Sequence, residues 1–262
     1  MPFTATSDAR VHYLLDGTGG PAVALVHGVG GDAEKVFGNV VGHFAATRTV
    51  IRPNLSGSGE TTDSGGQLSI EELADQVAAA IEDGADGPVD LLGFSLGAVV
   101  SAVVAATRPE LVRRLILLAG WTDSSTPRNK YYFDTWRRLL DLDREALKRF
   151  SALTGFSPTT LDLFGHEGLA ASLADEWPPP SISRQIDAGA QVDILDHLPN
   201  ITAPTMVVGL GRDNMIPVEG SHRLTEAIQG SQYIELPDDG HMDWFVDPSA
   251  VIKIADEFFS AT

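Results

Sequence analysis

Short apolar runs alternate with helical patterns along nearly the whole chain. Seven of these runs, at 11–15, 22–26, 49–52, 89–92, 115–119, 205–208 and 233–236, are four or five residues long and rich in aliphatic side chains. Turn-forming residues stop them: Asp16-Gly17, His27-Gly28 and Pro53 close the first three. Strands buried in a parallel sheet read this way. Between them, 69–81 has helical spacing. Ser69 stands as its cap, Glu72 follows three residues on, and Ile70, Leu73, Val77 and Ile81 share one face. Helices are likewise predicted over 96–107, 220–228 and 249–259. Right-handed crossovers between such strands give an α/β fold, a mostly parallel twisted sheet with helices on both faces.

The rhythm breaks from Trp121 to about Asn200. Helical pieces occur at 135–140 and 144–153 but no run suits a buried strand, and Trp177-Pro178-Pro179-Pro180 resists regular structure. Nine of the 19 aromatic residues fall in these 80 positions. That enrichment favours a helical cap lining an apolar pocket over a helical subdomain with only its own small core. The expected organisation is a core from 1–120 and 201–262, with the cap at 121–200.

Charge and composition narrow the partners. Eighteen Lys+Arg against 36 Asp+Glu leave a formal net charge of −18 on 262 residues. Such a surface repels nucleic-acid phosphates and anionic lipid, so neither is an expected partner. Cysteine is absent, which excludes disulfides, thiolate nucleophiles and cysteine-bound metal centres. The longest uncharged stretch, 91–107, is too short for a comfortable membrane span. Met1-Pro2-Phe3-Thr4 has no basic region followed by an apolar run, and a cytoplasmic protein is expected. Gly28-Val29-Gly30-Gly31 lacks dinucleotide-loop spacing, no phosphate loop occurs, and no His/Asp/Glu cluster has metal-ligand spacing. The expectation is no cofactor and no metal.

One segment carries the candidate chemistry. Gly93-Phe94-Ser95-Leu96-Gly97 lies where the strand at 89–92 meets the helix at 96–107. A tight strand-to-helix turn of this G-x-S-x-G form presents the serine in a strained conformation, so the residues two positions away must be small. It also sets Ser95 at a helix N-terminus, where free N–H groups favour developing negative charge. His27-Gly28-Val29-Gly30-Gly31 follows an earlier strand and can turn backbone N–H groups toward a substrate oxygen. Asp213 follows the strand at 205–208, and His241 follows the strand at 233–236.

The order Ser, Asp, His, each after a strand, resembles the α/β-hydrolase superfamily, in particular its capped small-ester, lactone and carbon–carbon hydrolase branch. The resemblance covers about residues 10–260 and is weakest over 121–200. Residues 50–59 are similar to the family's strand and turn, with Asn54 where aspartate usually stands. The resemblance implies Ser95 as nucleophile, His241 as base and Asp213 as the acid that orients it. It implies the backbone N–H groups of Val29 and Leu96 as oxyanion donors, with His27 bracing their loop. Asp123 competes with Asp213, because some members carry the acid after the preceding strand. Trp121, just after a strand end, is a substrate-pocket candidate as well as a packing one. The implied activity is serine-dependent hydrolysis of a carboxylic ester or lactone of a small, mostly apolar substrate. Carbon–carbon hydrolysis, biosynthetic acyl transfer or cyclisation with the same triad stay open, as does a ligand receptor or pseudoenzyme on the same fold.

Overall fold

The computed structural model describes residues 2–172, 178–179 and 181–261. Trp177 and Pro180 of the proline-rich segment lie outside them. Among the described residues, nine strands form one sheet: β1 (Phe3–Ala5), β2 (Ala9–Asp16), β3 (Val23–Val26), β4 (Val50–Pro53), β5 (Thr62–Asp63), β6 (Val89–Phe94), β7 (Val112–Leu118), β8 (Thr205–Leu210) and β9 (Gln232–Leu236). Their order across the sheet is β1-β2-β4-β3-β6-β7-β8-β9, with β5 paired to β2. From β4 to β9 every pairing is parallel, and β2 pairs antiparallel with β1, β4 and β5.

The period-2 alternation of strand side chains divides the interior into two layers. Ala24, Val26, Leu91, Leu115, Leu117 and Val207 face one layer, built with helices Ile70–Gly84 and Leu96–Thr107. Val23, Leu25, Leu92, Ile116, Leu118 and Val208 face the other, with helices Ala33–Phe37, Val41–Ala45 and Ser249–Ser260. The sheet is therefore covered on both faces, as the alternation predicted. Helix Leu96–Thr107 has no polar face because it lies between the sheet and a second helix; residues 96–105 are all buried.

Helix Ile70–Gly84 starts at Ser69 as its spacing predicts. The Ser69 side chain accepts from Glu72 N at 3.1 Å, and the Glu72 carboxylate accepts from Ser69 N at 2.8 Å. A reciprocal cap of this kind contributes about 1 kcal/mol. Two strands escape the sequence pattern: β1 and β5 are three and two residues long, too short for periodicity to show. Between β7 and β8 stand helices Pro127–Leu142, Arg144–Gly155, Pro158–Ser172 and Ile182–Ala190, with one isolated β-bridge between Asp123 and Asp193. The helix expected at 135–140 begins earlier because Thr126 accepts from Asn129 N and Pro127 occupies its first turn, where a missing N–H costs nothing.

Candidate active site

β6 runs into helix Leu96–Thr107 through one residue, Ser95, held at φ 58° and ψ −123°. Among the described residues only Ser95 and Ala119 are non-glycine positions with positive φ. The surrounding steric demands are visible atom by atom. A Cβ on Gly93 would lie 2.2 Å from Gly97 O, and one on Gly97 would lie 2.0 Å from Val26 O. Both positions must be glycine for the helix to sit this close to the sheet. Ser95 N still donates to Leu118 O on β7 at 2.9 Å, so strand pairing anchors the strained residue itself.

The three side chains that the sequence spacing singled out come into contact. His241 Nδ1 lies 2.5 Å from Asp213 Oδ2, and His241 Nε2 lies 2.9 Å from Ser95 Oγ. A carboxylate can only accept, so Nδ1 carries the proton and Nε2 offers its lone pair to the serine hydroxyl. The remaining Asp213 oxygen accepts from Met215 N and Ile216 N, both at 2.8 Å. All three residues are buried, and the Phe94 ring packs 4.8 Å from the imidazole. Asp123 is not part of this chain of contacts. Its carboxylate accepts from Ser125 and Thr122. Burial opposes its ionisation, but the hydrogen bonds from Ser125 and Thr122 and the charge of Arg223 together outweigh that and hold its pKa below the usual carboxylate range.

Polar contacts from the helices between β7 and β8 hold the loops that carry Asp213 and His241. Met242 N donates to Gly155 O at 2.8 Å, and the Asp243 carboxylate accepts from Ser157 N and Gly240 N, each at 3.0 Å. Arg128 donates to the carbonyls of Asn214 and Met215. Sequence reading missed Arg128 and Asp243, whose contacts between the helices and these loops are to backbone atoms more than 80 residues away and leave no spacing to recognise.

The Gly28–Gly31 loop crosses directly over the serine; a Cβ on Gly28 would lie 2.8 Å from Ser95 Cβ. His27 is fully buried beneath it, donating from Nδ1 to Gly28 O at 2.8 Å and accepting from Leu55 N at Nε2. Asn54 keeps the adjoining turn attached, since Oδ1 accepts from Ala33 N and Nδ2 donates to His12 Nδ1, both at 2.8 Å. Among the described residues, neither Val29 N nor Leu96 N donates a hydrogen bond, so both amides beside Ser95 are open to a ligand.

Burial lowers the pKa of His27, although the Gly28 carbonyl opposes this. The folded protein thus resists a proton that the unfolded imidazole takes up below about pH 6.5. His27 therefore contributes stability above that pH, which is lost as the pH falls through 6.5 toward the folded value. The slope reaches at most about 1.4 kcal/mol per pH unit. Denaturant titrations between pH 7.5 and 5.5 should give a falling midpoint for the wild type and a flatter dependence for His27→Gln. Equal slopes would exclude His27 as the source.

In front of Ser95 opens a cavity of about 330 Å³. Phe133, Phe156, Met215, Met242 and Phe245 line it, together with Trp121. Trp121 Nε1 is already satisfied by Ser124 Oγ at 2.9 Å, so this residue offers the cavity an apolar surface. Among the described residues, no group of three or more His, Cys, Asp or Glu side chains could hold a metal ion. Nor is any helix long and apolar enough to cross a membrane.

A strained serine between strand and helix, touching a histidine after the last strand, is the arrangement the sequence order implied. The family described as alpha/beta hydrolase fold matches residues 21–248. The chain belongs to the α/β-hydrolase family. Pyrrolizixenacetamide deacetylase from Xenorhabdus hominickii is 39% identical over 254 residues, which cover 96% of this chain and 95% of that protein. The structure of Rv0554 from Mycobacterium tuberculosis matches with a TM-score of 0.86 at 26% identity, over 98% of each chain. MGS-M2, an α/β-hydrolase enzyme from a Medee basin deep-sea metagenome library, matches with a TM-score of 0.89, covering 100% of this chain and 98% of its own. At 18% identity that last likeness concerns the fold. Family and relatives together indicate a hydrolase.

Proposed function

We propose that the protein is a serine hydrolase that cleaves a carboxylic ester or lactone of a small, mostly apolar substrate through an acyl-enzyme on Ser95. The observation that carries this reading is the continuous contact Ser95 Oγ–His241 Nε2 and His241 Nδ1–Asp213 Oδ2 at the floor of an apolar cavity. A serine hydroxyl is a weak nucleophile at neutral pH until a base removes its proton. His241 takes that proton as Oγ bonds to the carbonyl carbon, and Asp213 stabilises the resulting imidazolium. The carbonyl oxygen, now negative, is received by Val29 N and Leu96 N at the start of helix Leu96–Thr107. His241 returns the proton to the departing alcohol oxygen, and water repeats the sequence to release the acid. Residues 121–200 act as the cap, shielding the acyl-enzyme with the aromatic wall that includes Trp121.

A second reading concerns the bond cleaved. The same machinery serves an N-acyl amide if His241 protonates a leaving nitrogen, and the 39% identical relative is a deacetylase whose name specifies an acetamide. Both readings share the acyl-enzyme, so one experiment tests their common core. Incubation with a panel of aryl esters and aryl acetamides, followed by rapid quenching and peptide mass spectrometry, should show the acyl mass on the peptide containing Ser95. Turnover of panel compounds without any such adduct, even in rapid-quench samples, would count against covalent catalysis at Ser95. Matched rates on ester and acetamide then decide between the two leaving groups.

A further inference from the structure

Gln185 is fully buried on helix Ile182–Ala190, yet its side chain points away from its own helix chemistry and into the loop over Ser95. Its Oε1 accepts from Gly30 N at 2.8 Å. Its Nε2 donates to Ser56 O at 3.0 Å and to Ser58 Oγ at 2.9 Å. Ser58 in turn donates to Gly31 O at 2.6 Å. The loop contains three glycines around Val29, with Gly30 at φ 73°, and has little intrinsic stiffness.

We infer that Gln185 is a positioning residue that fixes the Val29 amide for the oxyanion, acting from the cap side of the site. The reasoning is stereochemical. In a trans peptide the C=O and N–H point in opposite directions. His27 holds Gly28 O, which sets the direction of Val29 N–H in the preceding peptide plane. Gln185 holds Gly30 N, which sets the following plane. With both planes held, the backbone torsions of Val29 are clamped from either side and its N–H keeps its direction; with Gln185 removed, Gly30 N–H loses this acceptor and the second clamp is gone. The same bond takes Gly30 N–H out of competition for the substrate oxygen, leaving Val29 as the loop's donor. This inference rests on Ser95 acting as the nucleophile.

The test compares Gln185→Met with the wild type on an aryl acetate and on an aryl trifluoromethyl ketone. Ser95 Oγ adds to the ketone carbon, its proton passes to His241, and the former carbonyl oxygen becomes an alkoxide in the donor site, imitating the transition state. The expected result is a fall in kcat of about 10–100-fold, KM within about threefold, and a loss of ketone affinity parallel to the loss of kcat. Arg184→Ala serves as control, because it releases the same helix from Asp63 without touching the loop. It should lower the melting midpoint and leave kcat and ketone affinity unchanged. Should Gln185→Met fail to fold, the shorter Gln185→Asn stays polar but draws its acceptor back from Gly30 N–H by one methylene, and parallel losses in kcat and ketone affinity are again expected. A lower melting midpoint with wild-type kcat and ketone affinity overturns the positioning role. Hydrolysis surviving in Ser95→Ala would instead remove the serine reading, whatever the Gln185 variants do.

Discussion

Replacing Ser95 with alanine is expected to lower hydrolysis of an aryl ester by about 10⁴–10⁶-fold, the range seen when a serine nucleophile is deleted. Folding should change little. The alanine keeps Cβ and the backbone, and its one lost hydrogen bond, to His241 Nε2, is worth about 1 kcal/mol. The same site offers an internal check. Ser95→Ala combined with His241→Ala should be no worse than either alone, because residues acting as one unit are not additive. Measured kcat with a denaturant midpoint for each variant separates catalysis from stability. A Ser95→Ala protein with wild-type turnover would end the proposal.

The largest structural effect is expected from Gly97→Ala. The added Cβ would lie 2.0 Å from Val26 O and 2.6 Å from His27 O, and both are backbone atoms at the end of a central strand. Neither can retreat, since β3 is hydrogen-bonded between β4 and β6. The helix must therefore lift from the sheet, exposing a face on which every residue from 96 to 105 is buried. We expect a loss of more than about 4 kcal/mol, enough to consume much of a typical domain's stability. Gly42→Ala is the matched control: it lies in helix Val41–Ala45 with nothing within 4 Å of the added atom. That change should be neutral or stabilise by up to about 1 kcal/mol. A Gly97→Ala midpoint equal to that of the wild type would mean that the helix is not seated as closely as described.

What the sequence made legible follows from where the signal resides. β3, β6, β7 and β8 are covered on both sides, so their apolar runs stand out against the glycines and prolines that end them. Ser95 and Asp213 were findable because each follows such a strand, and His241 because it follows the last apolar run, at β9; the parallel order of β6, β8 and β9 brings those ends to one edge. β1 and β5 pair at the margin of the sheet and are partly exposed, so no periodicity marks them. Helix Ile182–Ala190 did leave a trace. Ile182, Gln185, Ile186 and Gly189 lie on one buried stripe, and a glutamine amid that stripe signals a polar group with a distant partner. Its partner, Gly30 N, lies 155 residues away and has no side chain to announce it. Helix Pro158–Ser172 was hidden for another reason: Gly165 interrupts it at φ 59° and ψ −178°, breaking the helical repeat.

His241 is delivered by the turn that follows β9, the outermost strand, which has a neighbour on one side and side chains partly open to water. Strands at such margins fray at lower free energy than those inside. Catalytic competence would then vanish while most of the molecule is still native, so heat inactivation is a poor gauge of global unfolding here. Cross-bracing that outer strand is the economical route to a longer-lived catalyst.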